Sequence, residues 1–281
     1  MKLSAVPILL LGCTLAAQDF DHISIERVDA GFRFAEGPVW SREGFLLFSE
    51  VPRNQLRKMT PGERWLATLW PLVRARLPAP PARVVDIGCG PLGGFVPMLR
   101  AKGYDAVGID PQAPEQPHYL RIEFERAGLP AQVDAVIAST SLHHVADPAE
   151  VIDRITSTLT SGGAVVIVEW AWEKFDEQTA TWCFERLRPD DGAGWLHRRR
   201  DDWLASGREW PSYLRDWAER DGLHPSELLL RLLDERFERQ LLTHGPYFFP
   251  DLVDTTEVDE QTAIDAALIQ PTRIDYVGTR R

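Results

Sequence analysis

Three glycines, Gly88, Gly90 and Gly93, sit in the run Val84-Val85-Asp86-Ile87-Gly88-Cys89-Gly90-Pro91-Leu92-Gly93. Gly-x-Gly-x-x-Gly spacing after an apolar strand lets the backbone turn tightly and approach a ligand without Cβ interference. The spacing alone also fits nicotinamide and flavin binders. Two carboxylates narrow the choice. Asp86 lies two residues before the first glycine and directs a negative charge into the crevice. That charge is unfavourable beside a pyrophosphate and favourable beside an ammonium group. Asp110 lies 22 residues after Gly88, where a carboxylate can accept both hydroxyls of a ribose. Further on, His143 and His144 follow another apolar run, in reach of a substrate that must lose a proton.

The elements that must hold these residues can be read from periodicity. Thr60-Pro61-Gly62-Glu63 is a helix start: an N-cap, a proline at the first helical position and a capping-box glutamate. Trp65, Leu66, Leu69, Val73 and Leu77 continue it at helical spacing, with a kink expected at Pro71. Strands are expected at 84–87, 104–110, 118–124, 133–139 and 164–168. Helices are expected at 91–102 and after the capping box at Asp147, the latter ended by Ser161-Gly162-Gly163. This alternation predicts an α/β, Rossmann-like, doubly wound sheet, mostly parallel. Thr272–Val277 is expected as an antiparallel last strand. Only Pro111–Pro117 separates the second strand from the third, too short for the usual crossover helix, which is therefore missing or vestigial.

Composition removes several classes. The 281 residues suit one or two domains. With 44% apolar and 26% charged residues the chain is neither disordered, coiled-coil nor collagen-like. A net charge of −11 argues against a nucleic-acid binder. The one short basic run, His197–Arg200, is followed by Asp201-Asp202 and reads as a solvated, locally balanced surface. Cys13, Cys89 and Cys183 form no disulfide framework and no Cys-x-x-Cys pair, and no metal site is expected.

Taken together, Asp86-x-Gly88-x-Gly90, Gly108-Ile109-Asp110, Leu129-Pro130, Val133–Val136, Leu142-His143-His144 and Gly162-Gly163 are similar in order and spacing to the class I S-adenosylmethionine-dependent methyltransferases. The motifs cover 84–168, and the family fold is expected over 59–281. The resemblance implies S-adenosylmethionine as cofactor, held by Asp86, Gly88, Cys89, Gly90, Gly93, Asp110 and Ser139. It also implies an acidic residue on the adenine amino group a few positions before Leu129-Pro130: Glu125, with Glu123 as the alternative. His143 and His144 are the candidate catalytic residues, one of them, not both, expected to matter for turnover. No Asn/Asp-Pro-Pro-Tyr/Phe or Pro-Cys nucleic-acid methylation motif is present. The expected acceptor is a small molecule methylated on oxygen or nitrogen rather than carbon. A cofactor-binding domain without catalysis is the other reading of the same motifs.

Seven of the ten tryptophans fall between Trp170 and Trp217. They are expected to pack a helical, Trp-rich C-terminal insertion or cap, the alternative being an aromatic wall at the substrate mouth built from Trp170 and Trp172. The N-terminus reads differently. Residues 1–18 have the layout of an export signal. Residues 19–58, with Ala35-Glu36-Gly37-Pro38-Val39-Trp40, resemble the opening hairpin of gluconolactonase-like propellers, a family of exported hydrolases that supplies an alternative function. One hairpin cannot close a propeller. The expectation is a chimera joined near residue 58, with a cytoplasmic enzyme if translation begins near Met59 and an exported chain otherwise. No other membrane association is expected.

Overall fold

The computed structural model describes residues 35–41, 45–50, 55–128, 132–188 and 194–281, with side chains from Met59 onward. Strands β1 (Ala35–Ser41), β2 (Phe45–Glu50) and β3 (Gln55–Lys58) form an antiparallel three-stranded sheet of their own. The expected strand pair is there, with Ser41 opposite Phe45, and β3 adds a strand the sequence reading omitted. The export-signal segment 1–18 lies outside the described residues.

A seven-stranded sheet carries the rest. Its strands are β4 (Arg83–Ile87), β5 (Asp105–Ile109), β6 (Tyr119–Leu120), β7 (Val133–Ser139), β8 (Leu159–Trp170), β9 (Phe237–Gly245) and β10 (Arg273–Arg280), in the order β6-β5-β4-β7-β8-β10-β9. Pairing is parallel from β6 to β8, and β10 runs antiparallel to both neighbours. This is the Rossmann-like α/β sheet with a reversed last strand that the alternation predicted. β9 was not foreseen; its residues alternate little in hydrophobicity, and much of the strand is exposed.

The central strands are buried on both faces, as parallel strands under helices must be. One face packs Val85, Ile87, Val136 and Ile167 against α3 (Pro148–Thr158) and α7 (Ser226–Arg236). The other packs Val84, Ile137 and Val166 against α1 (Pro61–Arg76) and Phe95 and Leu99 at α2 (Val96–Ala101). Helix α1 starts as expected, with Glu63 N donating to Thr60 Oγ1 at 3.2 Å and Thr60 N to Glu63 Oε2 at 2.8 Å. It runs on through Pro71 to Arg76.

Three boundaries differ from expectation. Helix α2 is shorter than 91–102 because left-handed glycines keep the chain out of helical conformation until Phe95. The third strand contracts to Tyr119–Leu120, followed by a 3-10 turn at Phe124–Arg126. β8 begins at Leu159, so Ser161-Gly162-Gly163 lies within the strand, with Gly162 at φ 72° and a register shift opposite Val133–Ala135. No helix separates β5 from β6, as the short Pro111–Pro117 segment required.

The tryptophans pack rather than line. Trp170, Trp210 and Trp217 are buried with Phe175, Tyr213 and Phe248 beneath α4 (Glu177–Phe184), α5 (Trp195–Ser206) and α6 (Trp210–Arg220). The basic run on α5 is only partly solvated. Arg200 pairs with Asp201 at 2.9 Å and Arg199 with Asp202 at 3.0 Å. His197, however, is buried, with Nε2 2.8 Å from the Arg188 carbonyl, and Arg199 stacks on Trp217. Helical periodicity turns these two residues inward, which a reading of the run as one surface block misses. The last helix, α8 (Glu257–Asp265), precedes β10.

Candidate functional site

The carboxyl ends of β4 and β7 open onto a cleft of about 230 Å³, lined by Trp65, Asp86, Gly88, Cys89, Gly90 and Ser139 among others. The glycine loop forms its floor. Asp86, at the end of β4, is buried and its Oδ2 accepts from Phe95 N at 2.6 Å. A side chain at Gly94 would collide with that carboxylate, so the close approach requires glycine there. Burial pushes the Asp86 carboxyl up to about 7, against the Phe95 hydrogen bond, with the nearby Asp110 charge adding to the rise. An ammonium group at this point would restore ionisation. Gly90 differs from the other loop glycines: at φ 61° its missing Cβ faces open space, with no atom within 4 Å. This is a cradle that a side chain would fill, and it fits a ligand laid against backbone.

Asp110 follows β5, close enough for its charge to raise Asp86 and the buried Cys89 thiol, whose pKa is pushed up mainly by burial. Its Oδ1 accepts from Gln112 N at 2.6 Å, which fixes the carboxylate while leaving acceptor capacity on it. Gly93 packs beneath the Tyr119 hydroxyl. Ser139 ends β7, and its Oγ accepts from Trp65 Nε1 at 3.0 Å. That bond draws α1 across the mouth of the cleft. Thr140, next to Ser139, lines the cleft as well, while Trp65 and Gly62 are lining residues that sequence reasoning missed; Trp65 reads only as part of a helical stripe.

The structure does not bring every expected residue to the cleft. Glu125 is half-buried in the turn at Phe124–Arg126, while Glu123 is exposed and pairs with Arg126 at 3.1 Å. Neither lines the cleft. Leu129-Pro130, on which their assignment was counted, lies outside the described residues. His143 is buried, with Nδ1 2.5 Å from Glu169 Oε2. The same carboxylate accepts from Ser141 N at 2.8 Å and Leu142 N at 2.6 Å. Glu169 thus fixes the loop after β7, and His143 completes its hydrogen bonding. His144 is exposed, its ring centroid 4.1 Å from that of His143. Neither histidine lines the cleft.

A second cleft, of about 170 Å³, shares Gly62, Trp65 and Thr140 with the first and adds Tyr247, Pro250 and Asp251. Its wall is the segment between β9 and α8. Buried Glu260 on α8 accepts from Tyr247 N at 2.8 Å, Phe248 N at 3.1 Å and Phe249 N at 2.6 Å. Burial raises the Glu260 carboxyl to about 7 in spite of those three bonds. Tyr247 stacks on Trp170 at 5.6 Å and meets Trp65 edge-on at 5.2 Å. Asp251 is half-buried, and its Oδ2 accepts from Trp195 Nε1 at 3.1 Å. Burial raises its pKa, while the Trp195 bond and the Arg64 charge oppose the rise. The run Tyr247-Phe248-Phe249-Pro250-Asp251 was the available sequence signal for this wall.

Comparison with known proteins places this geometry. The family described as "Methyltransferase domain" matches residues 63–217, and the chain belongs to that family of S-adenosylmethionine-dependent methyltransferases. A ubiquinone biosynthesis O-methyltransferase of Xylella fastidiosa is 30% identical over 112 residues, which cover 34% of this chain and 44% of that protein. The match thus spans less than half of that curated relative's length. Among solved structures, an S-adenosylmethionine dependent methyltransferase from Listeria monocytogenes aligns with a TM-score of 0.48 at 18% identity, over 77% of this chain and 98% of that one. The N-methyltransferase NodS from Bradyrhizobium japonicum aligns at 0.45 and 14% identity, over 79% and 88%.

Proposed function

We propose that this chain transfers a methyl group from S-adenosylmethionine to a small-molecule acceptor, on oxygen or nitrogen. The observation that carries the reading is the pair of joined clefts: a glycine-floored one with an open cradle at Gly90, and a smaller one reached past Trp65. When bound, the cofactor supplies an activated methyl with its leaving group already attached. The chain then has to supply proximity and alignment. Asp86 and the backbone around Gly88, Cys89, Gly90 and Gly93 would hold the methionine end, and Asp110 the ribose. Ser139, fixed by Trp65, would border the methyl. Glu125 remains the candidate for the adenine side. Buried His143, tied to Glu169, suits a positioning role better than that of a base in contact with acceptor.

The test is transfer of a radiolabelled methyl group from S-adenosylmethionine into the small-molecule fraction of a metabolite extract. The expected outcome is label in that fraction, dependent on the protein. Label retained by the protein with none transferred would support a cofactor-binding domain without catalysis.

The function is assigned to 59–281, and 1–58 is proposed to be a segment of other origin. The separation of β1–β3 from the seven-stranded sheet supports this, as does a family match that begins at residue 63. A chain beginning at Met59 is expected to fold, bind the cofactor and melt within a few degrees of the full chain; loss of folding would contradict it. With that start the enzyme would work in the cytoplasm, where its cofactor is made.

A further inference from the structure

The second cleft combines aromatic faces with a carboxylate. Trp65 and Tyr247 meet edge-on at 5.2 Å, so two ring systems border a space of about 170 Å³. That is smaller than the neighbouring cleft of about 230 Å³ and suits a ligand of one ring. Asp251 is the one charged side chain in its lining. Trp195 Nε1 occupies a single acceptor position on Asp251 Oδ2. An ionised carboxylate offers about four such positions, so capacity remains for a ligand donor. Arg64, whose charge acts on Asp251, is buried and donates to the carbonyls of Pro250 at 3.2 Å and Thr255 at 2.8 Å. Arg64 also packs against Phe249, 5.8 Å from the ring centroid. It therefore secures the loop rather than lining the space. His197 on α5 also faces Asp251 electrostatically, but it is buried and bonded to Arg188.

Aromatic faces and a carboxylate favour one kind of guest. Ring faces attract cations, by about 0.5–2 kcal/mol depending on desolvation. A carboxylate repels an anionic guest and gains most from a charged N–H donor. The chain's net charge of −11 draws cations toward it in general. Resting on the reading of this chain as a small-molecule methyltransferase, we infer that the second cleft binds a one-ring amine in its cationic form. Asp251 takes the ammonium group, and Trp65 and Tyr247 take the ring. The shared lining of Gly62, Trp65 and Thr140 sets that amine beside the cofactor cleft. Methylation on nitrogen, as the specific form of the activity, requires the bound ammonium to pass one proton to the Asp251 carboxylate, which frees the nitrogen lone pair to accept the methyl group.

The test is calorimetric binding of three probes with one ring and different charge: 2-phenylethylamine, 2-phenylethanol and phenylacetate. Each is measured with and without S-adenosylhomocysteine. In the wild-type chain the amine is expected to bind at least tenfold tighter than the alcohol, and phenylacetate weakest. Asp251→Asn keeps the shape and is expected to bring the amine to the level of the alcohol. Tyr247→Leu is expected to weaken both amine and alcohol, the amine at least as much, because the ring face also favours the cation. An amine no tighter than the alcohol in the wild type, a preference that survives Asp251→Asn, or no binding of any probe overturns the inference. S-adenosylhomocysteine binding, read separately in the same titrations, decides the cofactor assignment, so the two can fail independently.

Discussion

The two walls of the joined clefts are made by the same device in different ways. On the cofactor side, Asp86 folds back within its own loop to hold Phe95 N, and neighbouring glycines give it room. On the opposite side, Glu260 reaches back from α8 to hold three consecutive amides of the 247–249 segment. Both carboxyls are buried and both are pushed up to about 7. Each meets backbone N–H groups that would otherwise be left without a partner. The first wall is encoded locally, between Asp86 and Phe95 and in the glycine spacing of that run. The second depends on a helix that follows it in the chain. The comparison teaches that a buried carboxylate can shape a binding loop whether or not a motif announces it.

Removing the longer-range support should cost most. Glu260→Ala leaves three amide donors of one turn unsatisfied, at about 1–3 kcal/mol each. A loss of about 3 kcal/mol or more in urea unfolding is expected, and a loss below about 1 kcal/mol would show that solvent replaces the carboxylate. The same residue makes stability pH-dependent. Its folded pKa lies near 7, above the ordinary 4.5, so the folded chain holds the proton over that interval. Its contribution is present in full at low pH and is lost as pH rises through about 7. Glu260→Gln carries no such proton, so its stability should fall less steeply than wild type between pH 4.5 and 7.5. Parallel curves would refute the raised pKa.

The histidines sharpen the comparison at the third buried carboxylate. His143→Phe removes a charge-assisted partner from Glu169 and is expected to destabilise by about 2 kcal/mol. His144→Ala, at an exposed position, should stay within about 0.5 kcal/mol and keep turnover within twofold. A large loss of turnover in His144→Ala, with stability unchanged, would restore that residue as a base. On the cofactor side, Asp110→Ala should weaken S-adenosylmethionine binding at least tenfold, about 1.4 kcal/mol. Unchanged affinity by calorimetry would remove Asp110 from the ribose.

Legibility follows the same division. The alternation of strands and helices up to β8, the reversed β10, the start of α1 at Thr60 and the missing helix after Asp110 could be read because each rests on local pattern or chain length. The glycine loop is legible for that reason too, while the helical pattern of 91–102 does not mark the left-handed backbone at Gly93 and Gly94 that shortens α2. Trp65, Tyr247 and Asp251 were missed as lining residues because their roles arise from packing between segments far apart in sequence. Glu169 stood in view beside Trp170, but nothing local tells that it caps the amides of residues 141 and 142. Trp170 and Trp172 drew attention as a possible wall, yet the sheet's end buries Trp170 and leaves Trp65 at the mouth.

The central claim is that the cofactor lies against the backbone at Gly90, and calorimetry with S-adenosylhomocysteine tests it most directly. Wild type and Gly90→Val would be titrated side by side, after melting curves establish that both fold. A Cβ at Gly90 meets no atom within 4 Å beyond its chain neighbours, so the valine side chain is expected to enter the space left for ligand. The left-handed backbone there adds strain of about 1–3 kcal/mol, which lowers the melting temperature without unfolding the chain. The expected result is one site per chain in wild type and at least a tenfold loss of affinity in the folded variant. Equal affinity in the two proteins, or no binding by wild type, would contradict the placement of the cofactor.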